Sequence, residues 1–146
     1  MASRSKSQNP NALFNVSAGN WTGEFINAGS VSYGLMDQPG PPRHVVEFSY
    51  LIAPVFLKTP DNKDTGGVMM LTTEPRADAV ANPGWLFAHG NTPGLNVSLS
   101  VNRPQLTDIV RHLENKRLKE FGFVLAADKD GWRISSWNIT VQLRDQ

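Results

Sequence analysis

Leu95, Val97, Leu99 and Val101 alternate with Asn96, Ser98, Ser100 and Asn102, and a period of two puts each set on its own face of a strand. A segment of this kind needs a sheet with one face covered, and similar alternation recurs along most of the chain. Val46, Phe48, Tyr50 and Ile52 alternate with Val45, Glu47, Ser49 and Leu51. The first set reads as the buried face, and Pro54 is expected to end the ladder or place it at an edge. Trp21 to Ile26 and Val31 to Met36 are predicted to form a hairpin closed around Asn27-Ala-Gly29. Val68 to Thr73 and Trp85 to His89 are short apolar runs between breakers, which favours strands over helices. Phe121 to Ala127 and Trp132 to Leu143 flank Asp128-Lys-Asp-Gly131, whose Asp-Gly pair suits a tight hairpin turn. In the last strand Trp132 and Ile134 share one parity, and Trp137, Ile139, Val141 and Leu143 share the other. A bulge at Ser135-Ser136 reconciles them and places Trp137 in the core.

One segment has a different period. Between Arg103 and Glu120, Leu106, Ile109, Val110 and Leu113 fall at i, i+3, i+4 and i+7, with Leu118 extending the stripe. The spacing predicts a helix over about 103–120. Asn102 can cap its start and Pro104 fits its first turn. Lys116, Arg117 and Lys119 crowd the end where the helix dipole favours cations, and Gly122 follows as a stop signal. The opposite face carries Arg103, Arg111, Glu114 and Lys116, so this helix should lie on a sheet. About eight strands and one covering helix predict a mainly β fold, an antiparallel β-sandwich or distorted barrel.

With 146 residues, 40% of them apolar, the chain can build a core without staples. Residues 1–12 carry Arg4 and Lys6 among Ser, Asn and Gln and are expected to form a flexible, mildly basic arm. Residues 13–146 are expected to form one globular domain, with Gln38-Pro-Gly-Pro-Pro42 as a rigid loop inside it. The start of the chain has no apolar h-region of a secretory signal. No run approaches the roughly 18 apolar residues of a membrane span. A cytoplasmic protein that does not enter the membrane is the expectation. Asn-x-Ser/Thr triplets begin at Asn15, Asn20, Asn96 and Asn138, but glycosylation requires translocation and two of them fall within expected strands.

The absence of cysteine excludes disulfides, thiolate metal sites, iron-sulfur clusters and a cysteine nucleophile. Ser30-Val-Ser-Tyr-Gly34 lacks the first glycine of a nucleophile elbow. Asp61, Asn62 and Asp64 resemble a fragment of a calcium loop, but Lys63 stands where a ligand belongs. No phosphate-binding motif occurs, so no metal and no cofactor is implied. An enzymatic reading has one foothold, a small hydrolase using Glu24 and Glu47. Both stand on apparently wet strand faces, and glycoside chemistry requires two carboxylates roughly 5 to 10 Å apart.

Binding and assembly fit the residues better than catalysis. Trp21, Trp85 and Trp132 lie near strand ends, where rings can stack on sugars or on the bases of single-stranded nucleic acid, and Arg133 adjoins Trp132. Arg4, Lys6, Arg111, Lys116, Arg117 and Lys119 could steer such a polymer. The net charge of +1 would make any nucleic-acid affinity weak and salt-sensitive. A strand-rich chain must also cover its edges, commonly by joining an identical subunit. The apolar Met69-Met70-Leu71 run, with Val45 and Leu51 opposite other apolar residues, suggests burial on two faces or a subunit interface. The expectation is a non-catalytic binding or assembly module that forms homo-oligomers.

Overall fold

The strands inferred from alternation are present, but they close on themselves. The computed structural model describes residues 16–73, 83–88, 95–129 and 131–143. In chain order it contains β1 (Gly19–Phe25), β2 (Ser30–Gln38), β3 (His44–Lys58), β4 (Asp64–Thr73), β5 (Gly84–Ala88), β6 (Leu95–Val101), α1 (Arg103–Glu114), β7 (Leu118–Asp128) and β8 (Gly131–Val141). The sheet order is β1-β7-β8-β5-β6-β4-β3-β2, and β1 also pairs with β3. That second pairing closes seven strands into a barrel and leaves β2 as an extra strand. Of the two architectures expected, the distorted barrel is the one formed. Every pairing is antiparallel except β4 with β6.

Alternation sorts side chains between the barrel interior and its outer wall. In β6, Leu95, Val97, Leu99 and Val101 are all buried, as their period requires. Trp21 stacks on Phe123 at 5.8 Å between ring centroids, and Phe25 meets Phe121 edge-on at 5.1 Å. In β3 the faces are the reverse of the expectation. Leu51, Ala53, Val55 and Leu57 point inward, while Val46, Phe48, Tyr50 and Ile52 are half-buried on the other face. Both sets are apolar, so alternation alone could not choose between them. Leu51 is therefore a core residue; Val45 is exposed.

Pro54 does not stop β3, which runs on to Lys58. Its carbonyl accepts a bond from Ile26 N–H, so its own nitrogen points toward the break between β1 and β2. A missing donor is tolerated there because the ladder is already interrupted. The same break corrects the expected hairpin around Asn27-Ala-Gly29. β1 pairs with β3 at Phe25↔Val55, and β2 resumes on the same side of β3 at Ser30↔Ile52. The chain therefore runs straight on through an irregular step, with Asn27 at φ 60°. The true reversal is the Pro-Gly-Pro-Pro segment between Gln38 and His44, read from sequence as an internal loop.

The helix starts as expected and stops early. Asn102 Oδ1 accepts the Gln105 N–H at 2.8 Å while Gln105 Oε1 accepts the Asn102 N–H at 2.9 Å, a reciprocal capping box. Leu106, Ile109 and Leu113 are buried against the barrel. The helix ends at Glu114 because Lys116 takes φ 58°. Lys116 N–H then donates to Leu113 O at 3.1 Å and Arg117 N–H to His112 O at 2.8 Å, the paired bonds of a Schellman motif. Leu118 to Glu120, expected in the helix, instead open β7, and Gly122 lies inside that strand. The bulge expected at Ser135-Ser136 is present, since Leu125 faces Ile134 and Val124 faces Ser136. Trp137 is partly buried and packs against the core.

Candidate functional site

β3 is longer than the barrel that it helps to build. Its pairing with β4 ends at Tyr50↔Thr72, whereas its pairing with β2 continues to Gln38↔His44. Tyr33–Gln38 and His44–Ser49 thus project from one end of the barrel as a two-stranded arm. At its base, Thr73 Oγ1 accepts the Ser49 N–H and donates to the Ser49 carbonyl, each at 3.2 Å. At its tip Arg43 Nε and Nη2 bond the Asp37 carboxylate, with Nη2 at 2.5 Å. That hydrogen bonding raises the Arg43 guanidinium above its ordinary pKa. The arm is also tied to α1, because Glu47 forms an ion pair with Arg103 in the first turn.

The inner-face parity of the barrel continues onto the arm, but the core beneath it ends. Leu51 and its partner Val31 still pack on the core. Beyond them Tyr33 is 78% exposed, Leu35 73% and Val45 62%. On the outer face Phe48 and Tyr50 stack at 6.3 Å with rings 10° from parallel. The Phe48 ring lies over Gly34, where a Cβ atom would collide with it. Met36 on the same face is 49% exposed. An open groove of about 900 Å³ runs along the arm, lined by Tyr33, Leu35, Val45, Phe48, Thr73 and Arg103 among others. β2 is the terminal strand of the sheet, and no strand among the described residues pairs with its outer edge.

The sequence-predicted ligand residues are dispersed. Trp21 is 1% exposed, and its indole N–H donates to Ser17 O at 2.9 Å. Trp132 is 8% exposed, and its Nε1 has no partner among the described residues. Both rings belong to the core, which leaves no ring face for a ligand to stack on. Trp85 differs: it is half-buried on the outer wall, in register with Ser98 on one side and Arg133 on the other.

Among the basic residues, Arg111 bonds Asp108 at 3.0 Å, Lys116 forms the helix stop and Arg117 is half-buried. Lys119 is exposed on β7. Arg133 lies opposite Ala126, seven residues along β7 from Lys119 and so roughly 23 Å away. Arg111, Lys116, Arg117 and Lys119 therefore do not form one patch with Trp85. Arg4 and Lys6 lie outside the described residues.

Glu24 and Glu47 are not brought together. Glu24 faces Phe56 on the outer wall, and Glu47 lies nine residues back along β3 on the inner-face parity. The strand distance is on the order of 30 Å, far beyond the separation that a shared glycosidic bond allows. This removes the geometry on which a hydrolase reading depended. In the loop before β4, the Asp61 carboxylate accepts the Thr59 hydroxyl, which holds it below the usual carboxylate range. It also lies 3.7 Å from Lys63 Nζ. Among the described residues no group of three potential metal ligands converges, and no helix is long and apolar enough to cross a membrane.

The site that emerges is thus a projecting, apolar β-arm on a closed barrel. Val45 carried a signal for it in the sequence, but Tyr33 and Leu35 did not, because the expected hairpin assigned them elsewhere. Comparison with protein-family models, curated proteins and solved structures gives no significant match for this chain.

Proposed function

We propose that the chain is a non-catalytic assembly module that associates with itself through the β2–β3 arm. The observation that carries this reading is the exposure of Tyr33, Leu35 and Val45 on one face of a strand pair whose outer edge pairs with no strand among the described residues. Apolar side chains scattered singly on a surface need no explanation, but a contiguous set beside an unpaired strand edge marks an interaction site. Among the described residues, Val31 and Leu51 are the last of this face to pack on the core, and Tyr33, Leu35 and Val45 lie beyond it. The arm is also held in shape before any partner arrives, by Thr73 at its base, Arg103 at its side and Asp37–Arg43 at its tip. Such pre-organisation lowers the entropic cost of association.

Light scattering over a concentration series tests the proposal. The wild-type mass should climb from one 16.1 kDa chain toward a multiple of it, while Tyr33→Lys, at an exposed position, should stay at one chain without a change in melting temperature. A wild-type mass fixed at one chain throughout would overturn it.

A second reading, the binding of single-stranded nucleic acid or glycan, is favoured by one observation. Trp85 and Arg133 are cross-strand neighbours on the outer wall, and a half-exposed ring beside a guanidinium is a stacking platform of the kind such polymers use.

A further inference from the structure

We infer that the partner of the arm is a second copy of this chain, joined by antiparallel pairing of the two β2 edges about a twofold axis through Gly34. This rests on the assembly reading and specifies its geometry. A strand edge is self-complementary only when some register suits both copies at once, and the register centred on Gly34 covers the most exposed residues of β2 best. With Gly34 opposite the partner's Gly34, Tyr33 lies opposite the partner's Leu35 and Leu35 opposite the partner's Tyr33. The two most exposed apolar side chains of the arm then cover each other twice, as aromatic–aliphatic cross-strand pairs that stabilise antiparallel sheets. Shifting the axis to Leu35 would instead set Tyr33 against the partner's Asp37.

Charge and shape agree with this register. β2 has a single charged residue, Asp37, already neutralised by Arg43 of its own arm. In the Gly34 register it faces the partner's Val31, so no like charges meet. Of the usual protections of an edge strand, β2 contains no lysine, no proline and no bulge against β3, and no described strand pairs with its outer edge. On the outer face the Phe48 ring occupies the space above Gly34. At the axis two such rings would approach each other over the paired glycines and close that face. A glycine is required here because any side chain at 34 would displace the ring.

The size of the contact sets its strength. A nine-residue edge is about 30 Å long, and with its side chains covers on the order of 400 Å² per copy. A specific, stable complex buries about 800 Å² per partner, so this smaller contact should be weak and transient, populated only as protein concentration rises.

The lack of cysteine makes disulfide trapping a clean test. Tyr33→Cys and Leu35→Cys are purified separately, mixed with a mild oxidant and compared with each variant alone. The Gly34 register places positions 33 and 35 of different copies directly opposite, and like positions diagonally apart. The mixture should therefore cross-link at least tenfold faster than either variant by itself. If the wild-type chain gains mass with concentration yet the mixture shows no such preference, the register is wrong and self-assembly stands. If the wild-type mass never rises, both the register and the assembly reading fall.

Discussion

Trp21→Ala is expected to lower stability by about 3–5 kcal/mol, the cost of removing a large aromatic from a packed interior. The indole is 1% exposed, stacks on Phe123 and donates to Ser17 O, so truncation leaves a cavity and an unpaired carbonyl together. Trp85→Ala, on the outer wall, should cost about 1 kcal/mol or less. Urea unfolding followed by far-ultraviolet circular dichroism gives both values. The contrast is informative because both tryptophans are plausible stacking groups from sequence. A Trp21→Ala protein that unfolds like wild type but loses affinity for a labelled oligonucleotide would show that ring serving a ligand. Loss of oligonucleotide binding on Trp85→Ala, without loss of stability, would support the outer-wall platform instead.

The second large effect concerns the approach of two strands. A Cβ at Gly84 would collide with the Ser98 carbonyl oxygen and lie 3.2 Å from Leu99 Cα. Both are backbone atoms of β6, so no side-chain rotation can make room. Gly84→Ala should force β5 from β6 and cost about 3 kcal/mol, at the upper end of the usual overpacking range. Gly66 provides the control, because a Cβ there meets nothing within 4 Å. Gly66→Ala should be neutral or stabilise by up to about 1 kcal/mol through the unfolded chain. Equal thermal midpoints for the two variants would contradict the close β5–β6 approach.

Local features of the fold were legible where one residue set had one possible role. The strand from Leu95 to Val101 has apolar residues on one parity only, and the start of α1 is marked by Asn102 and Pro104. The end of α1 was hidden because Lys116 takes the left-handed position that glycine usually signals. β3 is apolar on both parities, so only the surrounding barrel could decide that Leu51 faces inward. Closure itself depends on β1 meeting β3 and β7 at once, a long-range pairing with no local signature. The arm was obscured for a related reason. Asn27-Ala-Gly29 has turn chemistry, yet the chain uses it to step along β3 and reverses later at the prolines. That displacement moved Tyr33 and Leu35 from an expected hairpin to an exposed edge. Arg133 was noted for its neighbour Trp132, whereas the ring beside it on the outer wall is Trp85, a juxtaposition that only strand register reveals.

Hydrogen exchange of the β2 amides, Ser30 to Gln38, measured at low and at high protein concentration, tells a paired β2 edge from an open one. Alternate amides of an unpaired edge strand point to solvent and exchange rapidly. If the arm is where two copies meet, those amides should become protected as concentration rises, while the barrel strands β6 and β7 remain unchanged. Rapid exchange of alternate β2 amides at every concentration, with the wild-type mass still rising, would place the interface away from the arm.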